Sequence, residues 1–520
     1  MAENHSSHTF LDTILRLDAN PDVTGLVQFV QECGHPVQDL LLAVPELLIQ
    51  CRMRPAFLLA MFLNNNGYRG PVLSAALSLG GWLFNKEDEE ANGLALLQAQ
   101  ADQLAPEQRQ LLHDEVLSPL LSQLLAAAFE QQDNGRILKI LAIHQALFPR
   151  FRTLFDWQAP VPTLSLEEMR RRGRAQARLI SCELPPAGTT RQRRRAVVAM
   201  RERFYFGNPL SRLSDFGPRI VAAMEGYGWQ VSESPFRCST LDELEEDCRT
   251  IVDVCRQQQA ELLVMDLNVT IRAPARDEMI VQLRRDNPEI RVVGCMIDAF
   301  CFTDEVLIAA TAHLDLLWTR DVPSRPLWQR PVMGNKVLNL LFPNAGRLGG
   351  TERPLIPEPL FAGGVTAKYV PHRAFWLAAT ERMGLPLQSR LSTHLEDGLP
   401  PLDSFALYMR SLEESTCCLS LSMRYDQSHV ATFRGFEVAL SGALLVQEAT
   451  EEMHHYFIPG EHYLEFSSLA ELAAVIRFIR ENREEAEEVR RNGHRFARQH
   501  YNDEKIVGYL DRRLFHPAQA

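Results

Sequence analysis

The sequence predicts an α/β protein: two successive units of alternating strand and helix, preceded by an all-helical segment. Three observations carry that reading. Residues 1–155 show helical periodicity and no strand signal. From residue 196, short apolar runs alternate with amphipathic stretches, the pattern of right-handed β-α-β units and a parallel sheet. A Pro- and Gly-dense stretch over 323–359 interrupts the alternation, which resumes at residue 360.

In the first 155 residues, apolar positions recur at helical spacing over 9–17, 23–32, 37–52, 56–65, 71–84, 93–103, 106–131 and 135–147. Asn20-Pro21, Gly34-His-Pro36, Asn66-Gly67, Gly70-Pro71 and Asp133-Asn-Gly135 punctuate them. Helices joined by short turns predict a solenoid or a compact bundle, although no fixed repeat period is present. Residues 156–193 form a basic connector with Pro160, Pro162, Pro185-Pro186 and the run Met169-Arg-Arg-Arg-Gly-Arg174. A second basic run, 191–195, leads into the first strand. Both runs read as solvated charge; the competing reading is a patch for an acidic partner or a diphosphate.

A Rossmann-like unit is expected over 194–345, with strands at 196–200, 229–233, 261–267, 291–297 and 314–320. Helices are expected at 216–227, 241–258 and 276–286. After the linker, a second unit spans 355–515. It opens on the strand Leu360-Phe-Ala-Gly-Gly364 and continues through helices at 372–383 and 403–414 and a strand at 416–422. Helices over 469–481, 485–500 and 503–513 close the chain.

Bulk properties narrow the function. The 520 residues suffice for several domains, and 46% hydrophobic with 23% charged residues is ordinary globular composition. A net charge of -12 argues against general nucleic-acid binding. The longest apolar runs, 40–49 and 55–63, are broken by Pro45, Glu46 or Asn64 and fall short of a membrane span. The first ten residues show neither a basic n-region nor an apolar h-region. Ten cysteines lack C-x-x-C spacing, and Cys248 and Cys255 fall on one helix as core residues. Reduced thiols and no leader predict a cytoplasmic protein.

The most informative stretch is Thr432-Phe-Arg-Gly-Phe-Glu-Val-Ala-Leu-Ser-Gly-Ala-Leu-Leu-Val-Gln447. It reads as a short helix bearing Arg434 and Glu437, a stop at Gly442 and a buried strand from 443. Phe457-Ile-Pro-Gly-Glu-His-Tyr-Leu-Glu465 and the helix cap Ser467-Ser-Leu-Ala-Glu-Leu472 follow. This order resembles the donor-binding half of the GT-B glycosyltransferases. It is most similar to the CgeB-like branch of the group-1 transferases, with its pattern R-x-F-E-x-x-x-x-G, f-x-P-G-E and D/S-x-x-E-L. The resemblance covers about 195–510.

The resemblance implies a GT-B fold, two Rossmann-like domains facing a cleft, and transfer of a sugar from a nucleotide-diphosphate sugar to an acceptor. It implies Glu437 on the donor ribose, with Arg434 and Gly435 near the diphosphate. Gly363 and Gly364 would offer backbone N–H groups, and Lys368 or Arg373 positive charge. His429 stands eight residues before Glu437, where retaining members carry a glutamate. That departure leaves the anomeric outcome open. On the acceptor side, Asp266 and Asp298 end two strands and are the candidate bases; helix capping is the competing reading for each. His454-His455 read as an exposed polar loop rather than a metal site. No resident cofactor and no essential metal are expected. The partners expected are a nucleotide sugar and a protein acceptor recruited by the helical segment, with no nucleic acid. The alternative is a catalytically degenerate scaffold that works as a protein-interaction module.

Overall fold

The computed structural model describes residues 53–70, 158–179, 193–203, 213–238, 240–271, 273–297, 302–320, 325–364, 372–390, 398–422 and 431–516, with a few isolated positions between them. Of the helical N-terminal segment it describes α1 (Met53–Asn65), which lies where periodicity places it. Isolated helical positions, among them Leu40, Val44, Leu47, Leu73 and Leu77, fall in the expected 37–52 and 71–84 stretches; the other helices expected before residue 155, and the repeat question, lie outside the described residues.

The connector helix α2 (Leu166–Gln176) begins on an N-cap: the Ser165 hydroxyl accepts from Glu168 N–H. Its arginines Arg171, Arg172 and Arg174 are exposed, the solvated charge expected, and two of the run also reach other parts of the chain. Arg170 donates to the Gly460 carbonyl at 2.8 Å, and Arg174 meets Glu461 at 2.9 Å. Gly173 lies so close to Pro459 that a Cβ would stand 2.7 Å from the proline ring. Arg170 and Arg174 thus tie α2 to the second α/β domain, while Arg171 pairs with Glu168 of its own helix.

The first sheet is parallel, in the order β2-β1-β3-β4-β5-β6. Its strands are β1 (Arg195–Ala199), β2 (Gln230–Glu233), β3 (Leu262–Asp266), β4 (Arg291–Met296), β5 (Leu316–Thr319) and β6 (Val337–Asn339). Alternation along each strand builds two cores. Val197, Leu263, Val292 and Leu317 face α4 (Leu241–Gln257) and α5 (Pro274–Asp286). Val198, Val264, Val293 and Trp318 face α3 (Phe216–Tyr227). The helix α6 (Asp304–Thr311) leads into β5.

The second sheet is also parallel, in the order β11-β10-β9-β7-β8. It comprises β7 (Leu360–Ala362), β8 (Gln388–Arg390), β9 (Cys417–Ser420), β10 (Leu444–Glu448) and β11 (Leu464–Phe466). Its helices are α7 (His372–Arg382), α8 (Pro401–Ser415), α9 (Phe433–Leu440), α10 (Leu469–Glu481) and α11 (Arg483–His500). The last helix, α12 (Asp503–Phe515), returns to the first domain: the Phe515 ring packs edge-on to Trp229 and lies 3.7 Å beneath the Arg194 guanidinium.

Besides the helix α6, which was not expected, the two Rossmann-like units depart from expectation at β6 and β8. Each of these has three residues; β8 lacks an apolar run, and β6 opens the apolar run 337–342 inside the stretch read as linker. Strand order reverses between β1 and β3 in one sheet and between β7 and β9 in the other. Open parallel sheets bind ligands at such points, outside the strand C-termini. Among the described residues no helix is long and apolar enough to cross a membrane.

Candidate functional site

The reversal point of the second sheet gathers arginines. α9 begins after Thr432 and ends on Gly442, whose φ of +79° is the left-handed stop a glycine supplies. Its second residue, Arg434, reaches down to the end of β7 and lies 5.3 Å from the Phe361 ring centroid. Arg434 is 8% exposed, and its Nε and Nη1 find no hydrogen-bond partner among the described residues. Buried N–H groups are nearly always partnered, which makes this guanidinium a candidate ligand contact. Gly363 makes room for this guanidinium: a Cβ there would collide with Arg434 Nη2.

Arg373, in the first turn of α7, donates from Nη1 to the Gly364 carbonyl at 3.2 Å. Its Nε also lacks a partner among the described residues. Burial, with Arg434 and Arg320 nearby, pushes its pKa down to about 9, and Glu448 offsets this only in part. Glu448 lies at the end of β10 and accepts from Ser422 N at 2.6 Å and Trp376 Nε1 at 2.9 Å. Arg320 enters from the other domain, just beyond β5. It donates from Nε to the Ile297 carbonyl at 2.9 Å, lies over Phe433, and reaches the Ala431 carbonyl at 3.4 Å. Three guanidinium groups from two domains thus lie close together, a charge excess suited to a diphosphate.

Gly435 serves packing: a Cβ there would stand 2.6 Å from Met453 Cε. Glu437, three residues after Arg434, is buried and doubly bonded. Arg219 Nη1 donates to its Oε1 at 3.2 Å, and the Tyr408 hydroxyl to its Oε2 at 3.1 Å. Burial and the neighbouring carboxylate push the Tyr408 phenol well above its usual range. Burial opposes the Arg219 charge, but Asp215 and Glu437 outweigh it and hold that pKa above the ordinary arginine value.

On the acceptor side, Asp266 is fully buried. Arg201 donates to both its oxygens, at 2.6 Å and 3.3 Å, and Asn268 N–H to Oδ1 at 3.0 Å. The carboxylate therefore caps a one-turn helix, Leu267–Thr270, and locks the reversal point of the first sheet. Asp298, Lys368 and His429 lie outside the described residues. The exposed-loop expectation is corrected for His454, which is buried and bonded to Glu465 at 2.9 Å; Tyr463 anchors the same carboxylate. Cys248 and Cys255 are core residues as expected, their thiols pushed up to about 12 chiefly by burial.

Sequence reasoning missed Arg320, Arg219, Tyr408 and Glu448 as site residues. Arg320 and Glu448 carry a readable signal, a charged residue at the C-terminal end of an apolar strand. Arg219 is a lone arginine on an otherwise apolar helix, a hint that burial with partners is required.

A family model described as glycosyl transferase-like matches residues 397–511, which hold α8, β9, α9, β10, β11, α10, α11 and most of α12. No curated protein matches the sequence. Among solved structures, an α-glucosyltransferase in complex with UDP-glucose and DNA containing an abasic site is 10% identical with a TM-score of 0.43, covering 62% of this chain and 100% of its own. The sucrose-phosphate synthase of Thermosynechococcus elongatus is 12% identical with a TM-score of 0.42, covering 63% and 100%. HepE of Anabaena in complex with UDP and glucose is 10% identical with a TM-score of 0.39, covering 62% and 100%.

Proposed function

We propose that this protein transfers a sugar from a nucleotide-diphosphate sugar to an acceptor, in a GT-B arrangement of its two sheets. The observation that carries the proposal is Arg434, a buried guanidinium with two N–H groups unpartnered among the described residues, beside Arg373 and Arg320. The glycosyl transferase-like match over 397–511 supports it.

In this reading the diphosphate lies against Arg434 and Arg373, with Lys368 and the Gly363 and Gly364 backbone completing its seat. The bond between the sugar's anomeric carbon and the phosphate oxygen breaks as the acceptor oxygen bonds to that carbon. Fixed guanidinium groups take up the charge developing on the departing diphosphate and do the work a metal would otherwise do. Glu437 reads the ribose hydroxyls, and His429 faces the sugar. Asp298 takes the acceptor proton. Asp266 is not proposed for that step, because its oxygens are committed to Arg201 and Asn268. The helical segment 1–155 recruits the acceptor, a protein, and buried reduced thiols suit work in the cytoplasm.

The test is release of nucleoside diphosphate from UDP-, GDP- and dTDP-sugars, and of CMP from a CMP-sugar. Turnover of one donor class, lost in Arg434→Ala, supports the reading. No turnover of any, with or without candidate acceptor proteins, sinks it. The degenerate-scaffold alternative has one observation in its favour: Glu437 is already bonded by Arg219 and Tyr408.

A further inference from the structure

The arginine cluster has a neighbouring carboxylate that the proposed reaction does not use. Glu448 ends β10 and is 1% exposed. Its Oε2 accepts from Ser422 N, just beyond β9, at 2.6 Å. Its Oε1 accepts from the indole N–H of Trp376 at 2.9 Å. Gln447, one residue earlier, donates from Nε2 to the Ser422 hydroxyl at 3.2 Å, so the exit of β9 is held by both residues. Trp376 is fully buried, and its ring packs edge-on to Phe466 of β11, with centroids 5.2 Å apart. An indole held both by its ring and by its nitrogen has one orientation, and it fixes the rotation of α7 about its axis. Arg373 precedes Trp376 by three residues, so both project from one face of α7 and the fixed rotation carries Arg373 with it. Burial and the like charges of Arg434 and Arg320 disfavour the Arg373 charge, whereas Glu448 and then Tyr408 favour it.

We infer that Glu448 is a positioning residue for diphosphate recognition: through the indole of Trp376 it holds the turn of α7 that presents Arg373 to the donor's phosphates. The inference rests on the proposed donor site and adds the residue that aims one of its arginines. Its physical basis is preorganisation together with charge. An arginine whose helix is already fixed gives up less freedom when it meets a phosphate. A carboxylate is the group this place requires. It accepts from two N–H donors at once, on two oxygens, and it offsets the neighbouring cation. An amide of the same shape does neither fully, because its NH2 would face one of those N–H donors.

The experiment is calorimetric titration of the full-length protein with UDP, GDP and dTDP, followed by the variants with the nucleotide that the wild type binds. The variants are Glu448→Gln, Trp376→Phe, Arg373→Ala and the double variant Glu448→Gln/Arg373→Ala. Glu448→Gln should weaken binding about tenfold. Trp376→Phe keeps a ring against Phe466 and loses the indole N–H, and it should weaken binding about threefold. In the Arg373→Ala background, Glu448→Gln should change the affinity by less than about twofold, since its effect passes through the missing arginine. Thermal unfolding accompanies each titration, and if Glu448→Gln does not fold, Trp376→Phe carries the same comparison with and without Arg373. Wild-type affinity in the folded variants overturns the inference and leaves the donor site standing. So does a loss of equal size with and without Arg373, the mark of a carboxylate that only braces β9 and β10. Absence of binding by the wild type to all three nucleotides overturns the donor site and the inference with it.

Discussion

Arg434 and Gly363 occupy each other's space: the guanidinium of the first rests on the Cα of the second, where a Cβ would collide with Nη2. Gly363→Ala is therefore an indirect substitution of Arg434, pushing its side chain out of the crevice without touching its charge. Nucleoside diphosphate affinity should fall about tenfold or more, roughly 1.4 kcal/mol. The thermal midpoint should fall as well, because the Gly363 φ of +152° is one that alanine rarely adopts. An unchanged affinity by calorimetry would show that the guanidinium can shift and still bind.

Asp266 and Arg201 predict a stability phenotype. Removing one partner of a buried ion pair costs about 3–5 kcal/mol, since the other charge stays behind in low dielectric. Asp266→Ala should lose stability on that scale in urea unfolding, and Asp266→Asn less, because its carbonyl still accepts from Arg201. A variant that stays fully stable but loses transfer activity would return Asp266 to the role of base.

His462 predicts a pH dependence. Its ring is stacked on Phe496 at 4.2 Å, and Nδ1 accepts from Ile458 N–H at 3.1 Å. Burial pushes its pKa down from 6.5 to about 4. Between those values the unfolded imidazole binds a proton that the folded one refuses, so the unfolded state holds more protons there. The His462 contribution is therefore complete above pH 6.5 and is lost as pH falls towards about 4, on the order of 3 kcal/mol in all. Burial lowers His494 as well, adding in the same direction. His462→Gln, which keeps an acceptor for Ile458, should flatten the acid limb of a stability–pH profile. An identical limb in the variant would assign the acid sensitivity elsewhere.

Much of this was legible in the chain. Continuous apolar runs such as Leu262–Asp266 and Leu444–Glu448 mark strands buried on both faces, and helices of matching period separate them. Arg434 and Gly363 were legible as a basic residue on a helix start and a glycine at a strand end. Their contact was not, because 71 residues of chain separate positions that the sheet order brings together. Arg320 and Arg219 belong to the same class. Their meaning depends on which domain faces which, and no local periodicity records that. Asp266 was visible as a strand-end carboxylate, yet its partner Arg201 sits beyond a strand 65 residues earlier. A pairing of that kind decides between base and cap, and only the fold supplies it.

The central claim is that the cluster of Arg434, Arg373 and Arg320 binds a nucleoside diphosphate. Its most direct test is calorimetric titration of UDP, GDP, dTDP and CMP into the wild type and into Arg434→Ala. Saturable binding of one nucleotide, weakened at least tenfold in the variant, is the result predicted here. Failure of all four to bind, or equal binding by the variant, would contradict it.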